Sequence, residues 1–215
     1  MKRALASVTA ALAWGALAVQ MVYTVRYARA AGESFVAAVH GFFSFFTAAT
    51  NLFVALVLTV PLVVPRGRFG RWCSDPRTTT SAATSIIIVG VVYHVLLSAA
   101  YNPVGVEFVT DVCLHYLVPG LYATCWFLYA PKRGLRYVHV PTMLIYPAGY
   151  GVHTFVRGAL TGKYPYFFLD VNRLGLSTAT RNVAGLLVVF VVVATMLLLI
   201  TTRQRRTQAA DAQER

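Results

Sequence analysis

Apolar tracts of about 20 residues recur six times along this chain, and each is long enough to cross a bilayer as a helix. They cover about 4–23, 35–64, 81–100, 108–129, 137–156 and 182–201. Only 12% of the residues are charged, about half the share of a soluble protein. The sequence therefore predicts an all-α, polytopic integral membrane protein. Its six transmembrane helices form one bundle over residues 1–202, followed by a polar tail at 203–215.

The basic residues sit in the loops and tails between these tracts. With the N-terminus cytoplasmic, thirteen Lys and Arg fall on the cytoplasmic side and six on the other. The positive-inside rule then predicts that both termini are cytoplasmic and that the protein lies in the cell membrane. Topology and attraction to anionic lipid account for the net charge of +12 without a nucleic-acid partner. Cys73, Cys113 and Cys125 lack CxxC spacing, and no HxxxH or HExxH occurs. No metal, cofactor or disulfide framework is expected. Membrane lipids are the expected surroundings, and no sequence pattern speaks to oligomeric state.

The second tract carries GFFSFFTAATNLFVALVLTVPLVV, from Gly41 to Val64, with its polar groups gathered in the first half. Thr47 and Asn51 are four apart and share one helix face, with Thr50 beside them. Under the expected orientation, His94 and His115 fall about 10 Å below the outer edge, at about 1.5 Å per residue. Tyr146 falls near mid-membrane, and His40 and His153 near the outer surface. Asp111 lies one turn before His115 on the same face. The cytoplasmic halves of these tracts hold almost nothing ionisable. That one-sided layering predicts a polar pocket opening outward. Ser, Thr and Asn joining helices account for the same groups without a pocket. Asp111 either orients His115 or simply pairs with it to offset burial.

A catalytic pocket of this composition suits ester hydrolysis. Thr47 Oγ attacks a carbonyl presented from the outer leaflet, and His115 takes its proton and returns it to the leaving alcohol. Asn51, His94 or Tyr146 supplies donors for the oxyanion. The loop from Arg157 to Arg181 is long for a helix–helix link, and its aromatic KYPYFFLD core is expected to fold over the outer mouth. Tyr164, Tyr166 and Phe168 would sit at the interface, with Asp170 and Arg173 bonding within the cap or meeting a substrate carboxylate. Two other classes fit the same tracts. A transporter also wants a polar mid-membrane pocket and kinked helices, for which Pro141 and Pro147 speak. A structural or signalling membrane protein needs only the packing.

FFTAATN, DVCLHYLVPGLYATCWFLYAPKRG, MLIYPAGYGVHTFVRG and GKYPYFFLDV together resemble the bacterial branch of the androgen-induced transmembrane family. The animal members are integral-membrane hydrolases of fatty acid esters of hydroxy fatty acids. The resemblance runs over nearly the whole chain and implies six spans and a lipid-like ester substrate. It also implies a threonine nucleophile and a histidine base, which by motif position are Thr47 and His115. The spacing to Asn51 leaves Thr50 as the alternative nucleophile.

Overall fold

The computed structural model describes residues 2–213, with side chains from 3 to 202. All regular structure among them is helical. The elements are α1 (Lys2–Ala30), α2 (Phe35–Phe43), α3 (Phe46–Val63), α4 (Arg68–Ser74), α5 (Pro76–Val92), α6 (Val106–Val112), α7 (Val118–Tyr129), α8 (Val140–Thr161) and α9 (Val171–Gln213). The side chains of the expected polar tail lie outside the described residues.

Among the described residues, five helical stretches are long and apolar enough to cross a membrane: Arg3–Ala30, Phe46–Val63, Pro76–Ala100, Val106–Tyr129 and Val171–Thr202. The chain is thus an all-α, polytopic membrane protein. The fifth expected tract, 137–156, corresponds to α8. That helix has the length, at 22 residues, but Tyr, Thr, Gly, His153 and Arg157 dilute its apolar character.

Several boundaries differ from the expected ones, each for a local reason. The tract 35–64 is two helices, because the chain is extended at Phe45 (φ −83°, ψ 129°). Just before it, the Ser44 hydroxyl donates to the His40 carbonyl at 2.6 Å, a local bond that competes with helix continuation. α5 starts at Pro76 rather than near 81. Asp75 Oδ1 accepts the Arg77 N–H at 2.8 Å, and proline suits the first helical position. The same Arg77 holds the Asp75 carboxyl below its usual range. The loop expected over 157–181 shrinks to 162–170. α8 ends only where Gly162 turns left-handed (φ +70°), and Asp170 caps α9 through the Asn172 N–H at 2.9 Å. α9 is itself interrupted at Gly175 (φ +74°).

The chain forms two compact units, 1–74 with 85–130, and 75–84 with 131–215. In the first, α1 packs along α2, α3, α6 and α7. Its contact face is built from small residues, Ala10, Ala13 and Ala16, which let helix backbones approach closely. Ala16, Leu17, Phe42, Ala48 and Leu114 form one buried cluster. Thr110 Oγ1 donates to Gln20 Oε1 at 2.6 Å, which gives the strongly polar residue of the first tract a partner across helices. α4 folds back on α3, where Trp72 stacks on Phe53 at 5.8 Å. Gly70 lets this happen. A Cβ there would stand 1.9 Å from the Val64 carbonyl oxygen, so Gly70→Ala must push two backbones apart. The substitution should cost about 1–3 kcal/mol and lower the thermal midpoint.

In the second unit, α8 packs against α9 and the connecting loop lies on both. The Tyr164 ring covers Gly158. Arg157 donates to the Lys163 carbonyl at 2.6 Å, Asn172 to that of Gly162 at 3.0 Å and Asn182 to that of Phe168 at 2.8 Å. The loop between α8 and α9 is therefore packed and bonded to its own unit.

Candidate active site

The break at Ser44–Phe45 places Thr47 in the first turn of α3. Phe45 provides no side-chain cap for this turn. Thr47 is half-buried, and its side chain faces the middle of the helix formed by α6 and α7.

That second helix widens in the middle. Residues Cys113–Leu117 form a π-turn, closed by the Val118 N–H on the Cys113 carbonyl. Pro119 explains the widening, because it has no N–H to give the His115 carbonyl in the ordinary register. The Leu114 carbonyl is reached instead by Asn51 Nδ2, at 3.1 Å. The same Asn51 nitrogen donates to the Thr47 carbonyl at 2.9 Å. Both donors of the amide are used, one within α3 and one across to the π-turn, which leaves Asn51 none for an oxyanion. Gly90 of α5 allows the π-turn to come close, since a Cβ there would stand 3.1 Å from the His115 carbonyl oxygen. A second π-turn, Tyr93–Leu97, follows directly after α5. Single-turn π-bulges re-aim side chains and recur at functional sites.

Between these turns lies a continuous chain of polar contacts. Thr47 Oγ1 meets His115 Nε2 at 3.2 Å. His115 Nδ1 lies 3.0 Å from the Asp111 backbone oxygen and 3.0 Å from Asp111 Oδ1. A carbonyl only accepts, so Nδ1 carries the proton and Nε2 is free to accept from the threonine hydroxyl. The Tyr93 hydroxyl donates to Asp111 Oδ2. Its ring stacks on the His115 imidazole, with centroids 3.7 Å apart and planes 17° from parallel. Asp111 is 7% exposed and the His115 side chain 14%. Two donors on the carboxylate offset the cost of removing it from water. Beyond the end of α5, burial, then the Glu107 and Asp111 carboxylates, raise the Tyr101 phenol above its usual range.

The expected site residues separate into two sets. Thr47, Asn51, Asp111 and His115 come together. His94 stands next to this group, its Nδ1 3.2 Å from the Tyr116 hydroxyl, while the Tyr116 ring meets Tyr93 edge-on at 5.6 Å. Thr50 is fully buried one turn further along α3, and it is Thr47 whose hydroxyl reaches the imidazole. The other set belongs to the second unit. Tyr146 is half-buried and His153 exposed, both on α8. Tyr164 packs on Gly158, Tyr166 stacks on Phe168 at 5.2 Å, Asp170 caps α9, and Arg173 is exposed.

Tyr93 is the participant that sequence reading passed over. Its signal was faint: a tyrosine beside His94 near the end of an apolar tract, three residues after a glycine. No family model matches the chain, and no curated protein or solved structure shows significant similarity to it.

Proposed function

We propose that the chain is an intramembrane hydrolase of lipid-like carboxylic esters, with Thr47 as nucleophile and His115 as general base. The hydrogen bond from Thr47 Oγ1 to His115 Nε2, with Asp111 on the other ring nitrogen, carries this reading. A threonine hydroxyl is a weak nucleophile unless an adjacent base takes its proton, and an oriented histidine is the usual device. The resemblance to the androgen-induced transmembrane family supports the same pair and the same substrate class, fatty acid esters of hydroxy fatty acids.

In this mechanism Thr47 Oγ attacks the ester carbonyl carbon as its proton passes to His115 Nε2. Asp111 stabilises the imidazolium that forms. The backbone N–H of Thr47, at the positive end of the α3 dipole, takes up the negative charge on the carbonyl oxygen. The tetrahedral intermediate collapses, the C–O bond to the alcohol breaks, and His115 protonates the departing alkoxide. Water then attacks the acyl-threonine, again giving its proton to His115. Collapse of this second intermediate returns a proton to Thr47 Oγ and frees the carboxylic acid. Six spans, cytoplasmic termini and a site open to the outer leaflet of the cell membrane complete the proposal, on the charge asymmetry of the loops.

Purified protein tested against a panel of long-chain esters examines the reaction class. Turnover that rises with acyl length and is absent for polar esters is the expected result. Tyr93→Phe keeps the stacked ring and removes only the bond to Asp111. It should lower kcat about tenfold with KM unchanged, the size expected for one hydrogen bond to a charged group felt mainly in the transition state. An unchanged kcat would remove Tyr93 from the mechanism.

The interrupted helix at Ser44–Phe45 favours a second reading, because discontinuous helices also build transporter sites. Saturable uptake of a polar solute by protein-loaded liposomes, with no ester turnover, would establish that reading in place of the hydrolase.

A further inference from the structure

Where α9 leaves its apolar span, the second unit carries a cleft of about 280 Å³ between α9 and the segment that leads into α8. Its floor is apolar and closed: Leu135 is 3% and Leu198 1% exposed, both in a cluster with Met143 and Ala194. Its rim is amphipathic. Tyr137 and Val138 stand out from the surface at 48% and 66% exposure, and Arg136 and Thr202 complete the lining. The Thr202 hydroxyl is bonded back to the Leu199 carbonyl, so among the described lining residues the guanidinium of Arg136 is the charged group at the opening.

Among the described residues, no ion pair answers the charge of this rim. The acidic residues with described side chains here are Asp75 and Asp170. Asp75 is bridged to Arg77 at 3.0 Å, and Asp170 caps the far end of α9. Lys132 and Arg133 precede Arg136 within one short turn of chain, and Arg203, Arg205 and Arg206 follow Thr202 in sequence. An apolar floor with a cationic rim, at the end of a membrane-spanning helix, fits one chemistry: an anionic diester with hydrocarbon attached. The volume is at the small end of ligand clefts, enough for the glycerol and upper part of one acyl chain while the rest stays in the bilayer.

We propose that this cleft is a binding site for one anionic phospholipid, its phosphate on Arg136 and its first acyl segment against Leu135 and Leu198. Tyr137 holds the interfacial level, as aromatic residues do at membrane boundaries. The site is independent of Thr47 and His115 and of any reaction there.

The test is lipid retention by the intact protein, delipidated in detergent and then offered phosphatidylglycerol or phosphatidylcholine of the same chains. Native mass spectrometry counts the bound lipids. Wild type should retain one phosphatidylglycerol in preference to phosphatidylcholine. Arg136→Ala, an exposed position where folding is not at stake, should reduce that preference about fivefold, the effect of one cation near an anionic lipid. Val138→Trp, also exposed, should block the cleft and lower retention of both lipids without changing the melting temperature. Glycerol phosphate and inorganic phosphate should not displace the lipid. Equal retention of the two lipids by wild type would overturn the proposal. So would a preference that survives both substitutions, or displacement by free phosphate.

Discussion

Thr47→Ala should lower the turnover of a long-chain ester at least about a hundredfold, and His115→Ala should do the same. Where a nucleophile and its base act as a unit, removing either removes most of the rate, and removing both adds little. Non-additivity is therefore part of the expected result: the double variant should be no slower than the worse single one. Thr50→Ala is the informative control. Thr50 lies one turn away in the same helix and is fully buried, yet Thr47 is the threonine that meets Nε2 at 3.2 Å. Near-normal turnover in Thr50→Ala beside a dead Thr47→Ala assigns the nucleophile. The reverse pattern would preserve the reaction class and move the nucleophile. Rates are to be compared at equal folded amounts, checked by thermal melts.

Asp111→Asn should cost less than either, about ten- to a hundredfold in kcat. The ring tautomer does not depend on the carboxylate alone, because the Asp111 backbone oxygen also accepts from Nδ1 at 3.0 Å. What asparagine loses is the negative charge that stabilises the imidazolium, and each factor of ten corresponds to about 1.4 kcal/mol. Asp111→Ala adds a stability penalty that asparagine avoids. It strands the Tyr93 hydroxyl at a position only 5% exposed, and an unpaired buried donor costs about 1–3 kcal/mol. The two substitutions therefore separate chemistry from folding. Both should lose turnover, while only the alanine variant should lose several degrees in thermal midpoint. Equal kcat in Asp111→Asn and wild type would make the Asp111–His115 contact structural.

The contrast between what could and could not be read from the sequence follows from where each feature originates. Helical class and membrane residence come from composition along single tracts. The Asp111–His115 pair comes from i, i+4 spacing within one helix, and Thr47 and His115 are paired by motif position. Three features lay beyond such reading. The break at Ser44–Phe45 sits inside a tract whose hydropathy gives no sign of it. The π-turn at Cys113–Leu117 needs both Pro119 and the Asn51 side chain from another helix to take the stranded Leu114 carbonyl. Tyr93 enters only because that turn brings His115 under its ring. The last two are tertiary accommodations, and periodicity reports only the helix on which a residue lies. The early start of α5 is different in kind. Asp75 followed by Pro76 is a local start signal, masked by the run Thr78, Thr79, Thr80 and Ser81, which looks like a loop. These residues are buried in the structure, and the Ser81 hydroxyl donates to the Met143 carbonyl at 3.2 Å.

The central claim is that His115 activates the Thr47 hydroxyl, and covalent capture measures that without a choice of substrate. A long-chain fluorophosphonate added to the purified protein should lose fluoride to form one Thr47 Oγ–phosphorus bond, located by mass mapping of the peptide that spans Phe45 to Leu52. The adduct should be absent in Thr47→Ala and strongly reduced in His115→Ala. Labelling of Thr47 at the same rate with and without His115, or no labelling of a folded wild type, would contradict it.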